Sequence, residues 1–213
     1  MALSTCRCPR GCPSADLNDD LGDAAGKAYV FEYRQGAWAE VAKLLASDGV
    51  EGDELGLSLD LRAGTALFGA PGTDINGTES GAAYVFERGD GTWLQTARLE
   101  PSDGATGQGF GHSVAVGEDF IVVGAPALSD DGEASGAAYV FERHDTGWTE
   151  AGKLTASDAA PLIRFGSTVA VFGGTVVVGV LSGGEEARRG SAYVFERRNG
   201  SWSEVARLAP AER

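Results

Sequence analysis

Cysteine, histidine and methionine are scarce in this sequence, and their scarcity excludes several kinds of site. The 213 residues include three cysteines, two histidines and one methionine, and Cys6, Cys8 and Cys12 all lie near the N-terminus. No disulfide can therefore cross-link the body of the chain, and three cysteines without a nearby histidine lack the fourth ligand of a structural zinc site. We interpret residues 1–14 as a disordered or non-native tail, because chain ends fray, and the role of the cysteines stays open.

Positive charge and long apolar runs are also scarce. Seventeen lysines and arginines face 31 aspartates and glutamates, which gives a net charge of −14. A surface this acidic repels phosphate backbones and anionic lipids, so we predict no nucleic-acid partner. The longest apolar stretches fall far short of the roughly 20 residues that a spanning helix needs, so we predict no membrane insertion. Residues 1–14 also lack the apolar core of a signal peptide.

Glycine is abundant, with 32 residues, and much of it belongs to an internal repeat. The segment Gly81-Ala82-Ala83-Tyr84-Val85-Phe86-Glu87 has counterparts at 26–32, 136–142 and 190–196, at spacings of 55, 55 and 54 residues. One tryptophan follows each copy at the same offset: Trp38, Trp93, Trp148 and Trp202. A repeat of this length indicates an array of identical supersecondary units.

Each period predicts four short strands. In the middle unit they are 111–116, 120–124, 137–143 and 148–154, all rich in β-branched or aromatic residues and bounded by Gly, Asp or Pro. Short turns at 117–119 and 144–147 join the first strand to the second and the third to the fourth, which indicates an antiparallel meander. Four strands per unit with glycine and aromatic landmarks favour a propeller blade over a sandwich. A parallel β-helix is the competing fold, but its coils are shorter and lack hairpins.

We therefore predict an all-β fold, a partial β-propeller of about 3.5 four-stranded antiparallel blades. The propeller segment spans 15–208, with a half blade at 15–45, complete blades at 55–99, 110–154 and 165–208, and a tail at 209–213. Side chains alternate along a strand, so Tyr84 and Phe86 should fill one inter-blade interface while Val85 faces the opposite one. We interpret all four tryptophans as structural.

Two further landmarks precede each complete copy of the repeated segment. They are Phe110-Gly111 and Gly124-Ala125-Pro126 in the middle unit, and together they resemble the FG-GAP repeat of integrin α-subunit propellers and of many bacterial secreted or surface proteins. The likeness is closer to the bacterial type, and it implies a secreted or cell-surface protein. A closed ring in this family usually has seven blades, so the chain resembles half a propeller. The calcium loop of integrin blades is replaced by 117–119, which is too short to supply six to eight oxygens.

Hairpin order brings the long connections between strands two and three, and between blades, to one rim. These connections carry most of the acidic residues, and loops on a rigid scaffold are the usual place for recognition. The predicted ligand-binding residues are Asp74, Asn76, Glu79, Asp130, Asp131 and Glu133. Four of them, Asp74, Asn76, Asp130 and Asp131, are also weak Ca²⁺ candidates, and the alternative is that they are solvated acids satisfying local amides. No cofactor is required. The dipeptides Ser47-Asp48, Ser102-Asp103 and Ser157-Asp158 recur in every unit, which favours a structural turn.

Catalysis finds little support, because His112 and His144 occupy unrelated repeat positions and no set of nucleophile, base and orienting residue is visible. We predict a non-catalytic extracellular or cell-surface binding or adhesion module that presents its acidic long-loop rim to a protein or glycan. One alternative is a propeller lectin that binds sugars between blades. Another is a purely structural or assembly module, or a fragment of a larger propeller, that self-associates to complete its ring.

Overall fold

The computed structural model describes residues 1–6, 21–127, 135–158, 163–180 and 190–209. Within these ranges the regular structure consists of strands, and no helix is long and apolar enough to span a bilayer. The strands form four sheets, and every pairing within a sheet is antiparallel between strands that are consecutive in the chain. The strand bounds are as follows.

The first sheet contains β1 (Ala2–Cys6), β2 (Lys27–Arg34) and β3 (Ala37–Leu44). The second contains β4 (Ser58–Arg62), β5 (Thr65–Ala70), β6 (Ala82–Gly89) and β7 (Thr92–Leu99). The third contains β8 (Ser113–Val116), β9 (Phe120–Ala125), β10 (Ala137–His144) and β11 (Gly147–Leu154). The fourth contains β12 (Phe165–Phe172), β13 (Thr175–Val180), β14 (Ser191–Arg198) and β15 (Ser201–Leu208). We call these sheets blades one to four.

The blades stack radially, as propeller blades do. The innermost strands β4, β8 and β12 contact one another in succession, whereas the outer strands of neighbouring blades meet at far fewer points. Parallel bridges link Gly26 to Leu55, Gly81 to Phe110 and Gly136 to Phe165, one at each junction. Sheets that converge on one side and diverge on the other are wedges around a common centre. The predicted partial propeller of four-stranded blades is confirmed.

Blade one differs from the predicted half blade, which had only a third and a fourth strand. Residues Ala2–Cys6 pair with β2 in the position of a second strand, with Ala2 opposite Phe31 as Ala66 is opposite Phe86 in blade two. The sequence analysis assigned these residues to a tail. A strand forms there because β2 would otherwise leave a row of unpaired backbone N–H and C=O groups along its edge.

Three apolar clusters fill the junctions between blades. Tyr84 and Phe86 lie in the cluster between blades one and two, while Val85 lies in the cluster between blades two and three, so the predicted alternation is confirmed. Each outer strand also carries a β-bulge opposite the third strand, as at Thr96, which is skipped where Val85 and Phe86 pair with Ala97 and Gln95, and the bulge adds local twist. Both faces of an interior blade are therefore buried.

The tryptophans fall into two groups. Trp93, Trp148 and Trp202 are half-buried against the inter-blade clusters, and the ring centroid of Trp202 lies 5.0 Å from that of Phe120. Trp38, in blade one, is 55% exposed and packs edge to face against Tyr33, which is 61% exposed. The structural interpretation holds for three tryptophans and is wrong for Trp38, because no described blade precedes its own.

Glycine landmarks of consecutive blades meet at the seams between blades two and three and between blades three and four. A Cβ atom added to Gly69 would lie 1.8 Å from the carbonyl oxygen of Gly111, and one added to Gly124 would lie 2.1 Å from that of Gly166. The hydroxyl of Ser58 donates to the same Gly111 carbonyl at 2.7 Å. Only glycine allows backbones to approach this closely, so the Gly-Ala-Pro glycine of one blade and the Phe-Gly glycine of the next blade form the two sides of the contact.

We predict that Gly69→Ala destabilises the chain by about 3 kcal/mol, because the new methyl group would overlap a backbone atom that cannot rotate away. The matched control is Gly89→Ala, since a Cβ at Gly89 meets no atom within 4 Å. Urea unfolding of both variants measures the difference. Equal free energies of unfolding for the two variants would show that the glycine seam does not hold the blades together.

Candidate functional site

The meander places two kinds of connection at opposite rims of the propeller. One rim carries the long loops between second and third strands together with the links between blades, and the other carries the short hairpin turns. Of the predicted binding residues, Asp74, Asn76 and Glu79 lie on the long-loop rim and are exposed. Asp130, Asp131 and Glu133 lie outside the described residues.

The loop from Asp74 to Ser80 is closed on itself by side-chain hydrogen bonds. The Asp74 carboxylate accepts from the backbone N–H of Glu79 at 2.7 Å, and the Ser80 hydroxyl accepts from the backbone N–H of Asn76 at 3.0 Å. The Asn76 side-chain amide donates to Glu100 at 3.2 Å. The first two bonds span five and four residues and fix the loop backbone, while the Asp74 side chain stays exposed.

Backbone hydrogen bonds join this loop to the link that follows the blade. The N–H groups of Gly107, Gly109 and Phe110 donate to carbonyls of the loop at 2.8 to 3.1 Å. The preceding junction repeats the arrangement, with Glu54 and Leu55 donating at 2.9 and 3.0 Å. The rim is therefore a rigid backbone surface, which lowers the entropy lost when a ligand binds.

Asp53 lies beneath the rim and is only 2% exposed. Its carboxylate accepts from the backbone N–H of Val50 at 2.8 Å. Burial raises the pKa of Asp53, and the nearby carboxylates of Asp48 and Asp74 add to the effect. The sequence analysis gave no sign of this burial, although Gln108 occupies the same position one repeat later and is fully buried. Asp53 is therefore a structural group, not part of the accessible rim.

The recurring Ser-Asp dipeptides bind the next blade. Ser102 donates from its backbone N–H and its hydroxyl to the Glu150 carboxylate at 2.8 and 3.0 Å, and Ser157 does the same with Glu204 at 2.9 Å for both bonds. The receiving side chains recur at period 55 two residues after each tryptophan, a signal that the sequence analysis missed. We call this set of contacts the Ser-Asp latch.

In two of the latches the aspartate, Asp103 or Asp158, binds a tyrosine and a cation of the next blade, whereas Asp48 pairs with Arg98. Asp103 accepts from the Tyr139 hydroxyl at 2.7 Å and pairs with Lys153. Asp158 accepts from the Tyr193 hydroxyl at 2.6 Å. Burial raises the pKa of Asp103, but the bonds from Lys153 and Tyr139 outweigh it and hold that pKa below its ordinary value. The predicted structural role of the dipeptides is confirmed, and its form is a clamp between blades.

Ion pairs near the hairpin turns also join each blade to its neighbour. Arg88 pairs with Glu32 at 2.7 Å, Arg143 with Glu87 at 2.7 Å, and Arg197 with Glu142 at 2.8 Å, always from one blade to the preceding one. These cations and acids therefore contribute to the packing between blades. Among the described residues, no lysine or arginine pairs with the rim acids Glu51, Asp74 or Glu79.

A cleft of about 680 Å³ lies on the opposite rim, between blades two and three. It is lined by Trp148, Arg143 and His144 together with the acids of the adjoining turns. The Arg143 guanidinium lies 5.6 Å from the Trp148 ring centroid. At the next junction Phe120 covers Trp202, but the counterpart of Phe120 in blade two is Thr65, so Trp148 is left facing the cleft.

The described residues contain no group of three or more His, Cys, Asp or Glu side chains arranged to hold a metal ion. Asp74 and Asn76 each contribute to the closed turn instead. The Ca²⁺ assignment of these residues therefore stays a prediction.

The blades form a rigid arc with acidic loops along one rim. This arrangement is that of a scaffold module built from repeats. A family model for the FG-GAP repeat matches residues 38–86, 93–141 and 148–195, which is more than half of the chain. The chain belongs to the FG-GAP repeat family, whose propeller repeats are typically non-catalytic and are typical of extracellular proteins. Each match runs from an outer strand to the third strand of the next blade, so the family unit spans a junction. No curated protein matched the chain.

We predict that Asp103→Asn lowers the free energy of unfolding at neutral pH by about 1 kcal/mol, because it removes the charge that Tyr139 and Lys153 bind at a half-exposed site. The lowered pKa means that this stabilisation is present above the ordinary aspartate pKa and is lost as the pH falls through the native value. Unfolding as a function of pH measures it. With the exposed Asp119→Asn as control, equal deficits at all pH values would contradict the latch.

We predict that Asp53→Asn, in contrast to Asp103→Asn, raises the free energy of unfolding at neutral pH. The raised native pKa means that stability is lost as the pH rises from the ordinary aspartate pKa through the native value, so the charged form is costly at neutral pH. Asparagine keeps the acceptor for the Val50 N–H without the charge, and one repeat later the equivalent position holds the neutral side chain of Gln108. The variant should be more stable by about 1 kcal/mol at neutral pH and indistinguishable in acid. A loss of stability at neutral pH would refute the assignment.

Proposed function

We propose that this FG-GAP module acts outside the cell as a non-catalytic adhesion or binding module, and that its acidic long-loop rim binds a protein ligand. Membership of the family supports the class of function, an adhesion or binding module, since propeller modules of this family are often found in adhesion proteins. The finer assignment depends on the exposed acids Glu51, Asp74 and Glu79, which have no cationic partner among the described residues. Unpaired acids on a rigid surface favour a ligand segment rich in lysine and arginine.

The rim acids differ from the acids that build the fold in one respect that supports this proposal. Asp48, Asp103 and Asp158 recur in each unit and bind the next blade. Asp74 and Glu79 do not recur, because Ser129 and Ala134 stand at their positions one repeat later. An acid that appears in a single blade is not needed for blade packing, and a ligand site confined to one part of the ring uses such residues.

The two junction loops also place these acids close together. The backbone N–H of Gly72 donates to the carbonyl of Asp53 at 3.2 Å, so the link that carries Glu51 lies against the loop that carries Asp74. Electrostatic attraction between this patch and a basic segment should raise the association rate and make it sensitive to salt. The patch lies between blades one and two.

We predict that the triple variant Glu51→Gln, Asp74→Asn, Glu79→Gln loses binding to basic ligands. The probes are a library of peptides that differ in net charge and a panel of purified extracellular-matrix proteins, measured by biolayer interferometry at two salt concentrations. Removing three unpaired charges should lower the association rate at least about tenfold at low salt. The change should be small at high salt, where charges are screened.

The control carries the same loss of charge on the opposite rim, in the variant Asp90→Asn, Asp119→Asn, Asp145→Asn. All three side chains are exposed in short turns. If both variants lose binding equally, the effect reports net charge alone and the rim is not the site. The absence of any ligand among the probes that binds the unmodified chain would also refute the proposal.

A lectin is the second candidate, because Trp148 faces the cleft between blades two and three beside several acids. An aromatic ring next to carboxylates is a common way to bind a sugar, since the ring stacks on the apolar face and the acids accept from hydroxyls. A glycan array decides between the two. Glycan binding that Trp148→Ala abolishes and the rim variant leaves intact would favour the lectin over the adhesion rim.

A further inference from the structure

The outward face of blade four has the composition of a blade junction. Leu99 and Leu154 are buried between blades with 3% exposure, whereas Leu208, at the same position in blade four, is 56% exposed. Val194 is half-buried where Val85 and Val140 are fully buried. Blade four therefore exposes the apolar sheet face that each preceding blade buries against its neighbour.

The outward face of blade one has the complementary composition. Tyr29 and Phe31 stand at the positions of Tyr139 and Phe141, which fill the cluster between blades two and three. In blade one both rings are half-buried, whereas Tyr139 has no exposed surface. The two open faces are thus the two halves of the junction that the chain already builds three times.

Polar groups on the face of blade one match the latch. Glu40 stands at the position of Glu150, which binds the serine of the preceding dipeptide, and Lys43 stands at the position of Lys153, which pairs with its aspartate. At the other end of the chain, Ala211 and Glu212 stand at the positions of Ser157 and Asp158. The side chains that receive a latch therefore have sequence counterparts in blade one, whereas the serine of the dipeptide has none after blade four, and residues 211 and 212 lie outside the described residues.

One junction contact is missing from this match. Glu196 stands at the position of Glu142, which pairs with Arg197 of the following blade, but blade one has Tyr33 in place of the arginine. Tyr33 is 61% exposed. A docked pair would consequently have the apolar contacts of an interior junction without its ion pair.

We propose that the open face of blade four in one copy docks onto the open face of blade one in a second copy, so that two copies associate head to tail. Complementary faces at opposite ends of an arc form a heterologous contact, and two such contacts close a ring when the rotation allows it. This inference is independent of the proposed ligand and concerns the assembly that would present the acidic rim.

Analytical ultracentrifugation of the full chain over the micromolar range tests the proposal. The unmodified chain should sediment as a dimer in equilibrium with monomer. Leu208→Asp, on the face of blade four, and Tyr29→Asp, on the face of blade one, should each shift the chain to monomer. Leu94→Asp is the matched control, because Leu94 is 61% exposed on the outer strand of blade two and lies on neither face. Circular dichroism and urea unfolding verify that each variant is folded.

Mixing the two monomeric variants distinguishes head-to-tail docking from other dimers. The Tyr29→Asp chain keeps an intact blade four and the Leu208→Asp chain keeps an intact blade one, so an equimolar mixture should form one junction and recover a dimer. Tyr33→Arg should tighten the dimer of the otherwise unmodified chain about two- to fivefold by adding a partner from the second copy for Glu196, which within one chain pairs with Arg198.

Four results would overturn the proposal. One is an unmodified chain that stays monomeric at every concentration, and another is a dimer that survives both face variants. The third is a mixture of the folded single-face variants that stays monomeric. A dimer lost equally in Leu94→Asp would also show that the contact lies elsewhere.

Discussion

Close contact between glycine backbones, at the junctions between blades two and three and between blades three and four, is the constraint on which the rest of the structure depends. Where the carbonyl of Gly111 lies against Gly69, no side chain fits, and the innermost strand of one blade is held directly on the preceding blade. The serine bond to the same carbonyl, the aromatic cluster behind it and the joined rim loops all require this spacing. Close packing leaves little room for adjustment, so a change at the seam would displace every layer outside it.

The acidic residues divide between the fold and the surface according to whether they recur. Asp103 and Asp158 recur and are bound by tyrosine and cations of the next blade, so their charge stabilises the arc. Asp74 and Glu79 occur once and remain exposed on a backbone that hydrogen bonds hold rigid. Acidic residues that recur in every unit therefore stabilise the packing between blades. Acidic residues that occur once are available to bind a ligand.

Much of the fold could be predicted because the repeat imposes local patterns. Alternation in Tyr84-Val85-Phe86 predicted which blade each side chain faces, and glycine-bounded strands predicted the meander. The candidate site was predicted less completely. Its rim was placed correctly by hairpin order, but the burial of Asp53 was not anticipated, because burial depends on which loop of the next blade lies above a residue. The latch was anticipated only as a turn, since its partners lie about 48 residues away on another blade.

By itself the sequence determined the strands, the four-stranded unit, the radial array and the family, because these follow from periodicity and from glycines that no other residue can replace. Tertiary structure alone decided which acids are buried, clamped or exposed, since those states depend on atoms contributed by neighbouring blades. It also decided that Ala2–Cys6 forms a strand, because only the paired sheet reveals an edge to be covered. The sequence pattern of a repeat determines the fold of each blade. Packing between blades determines whether its polar residues are buried, paired or exposed.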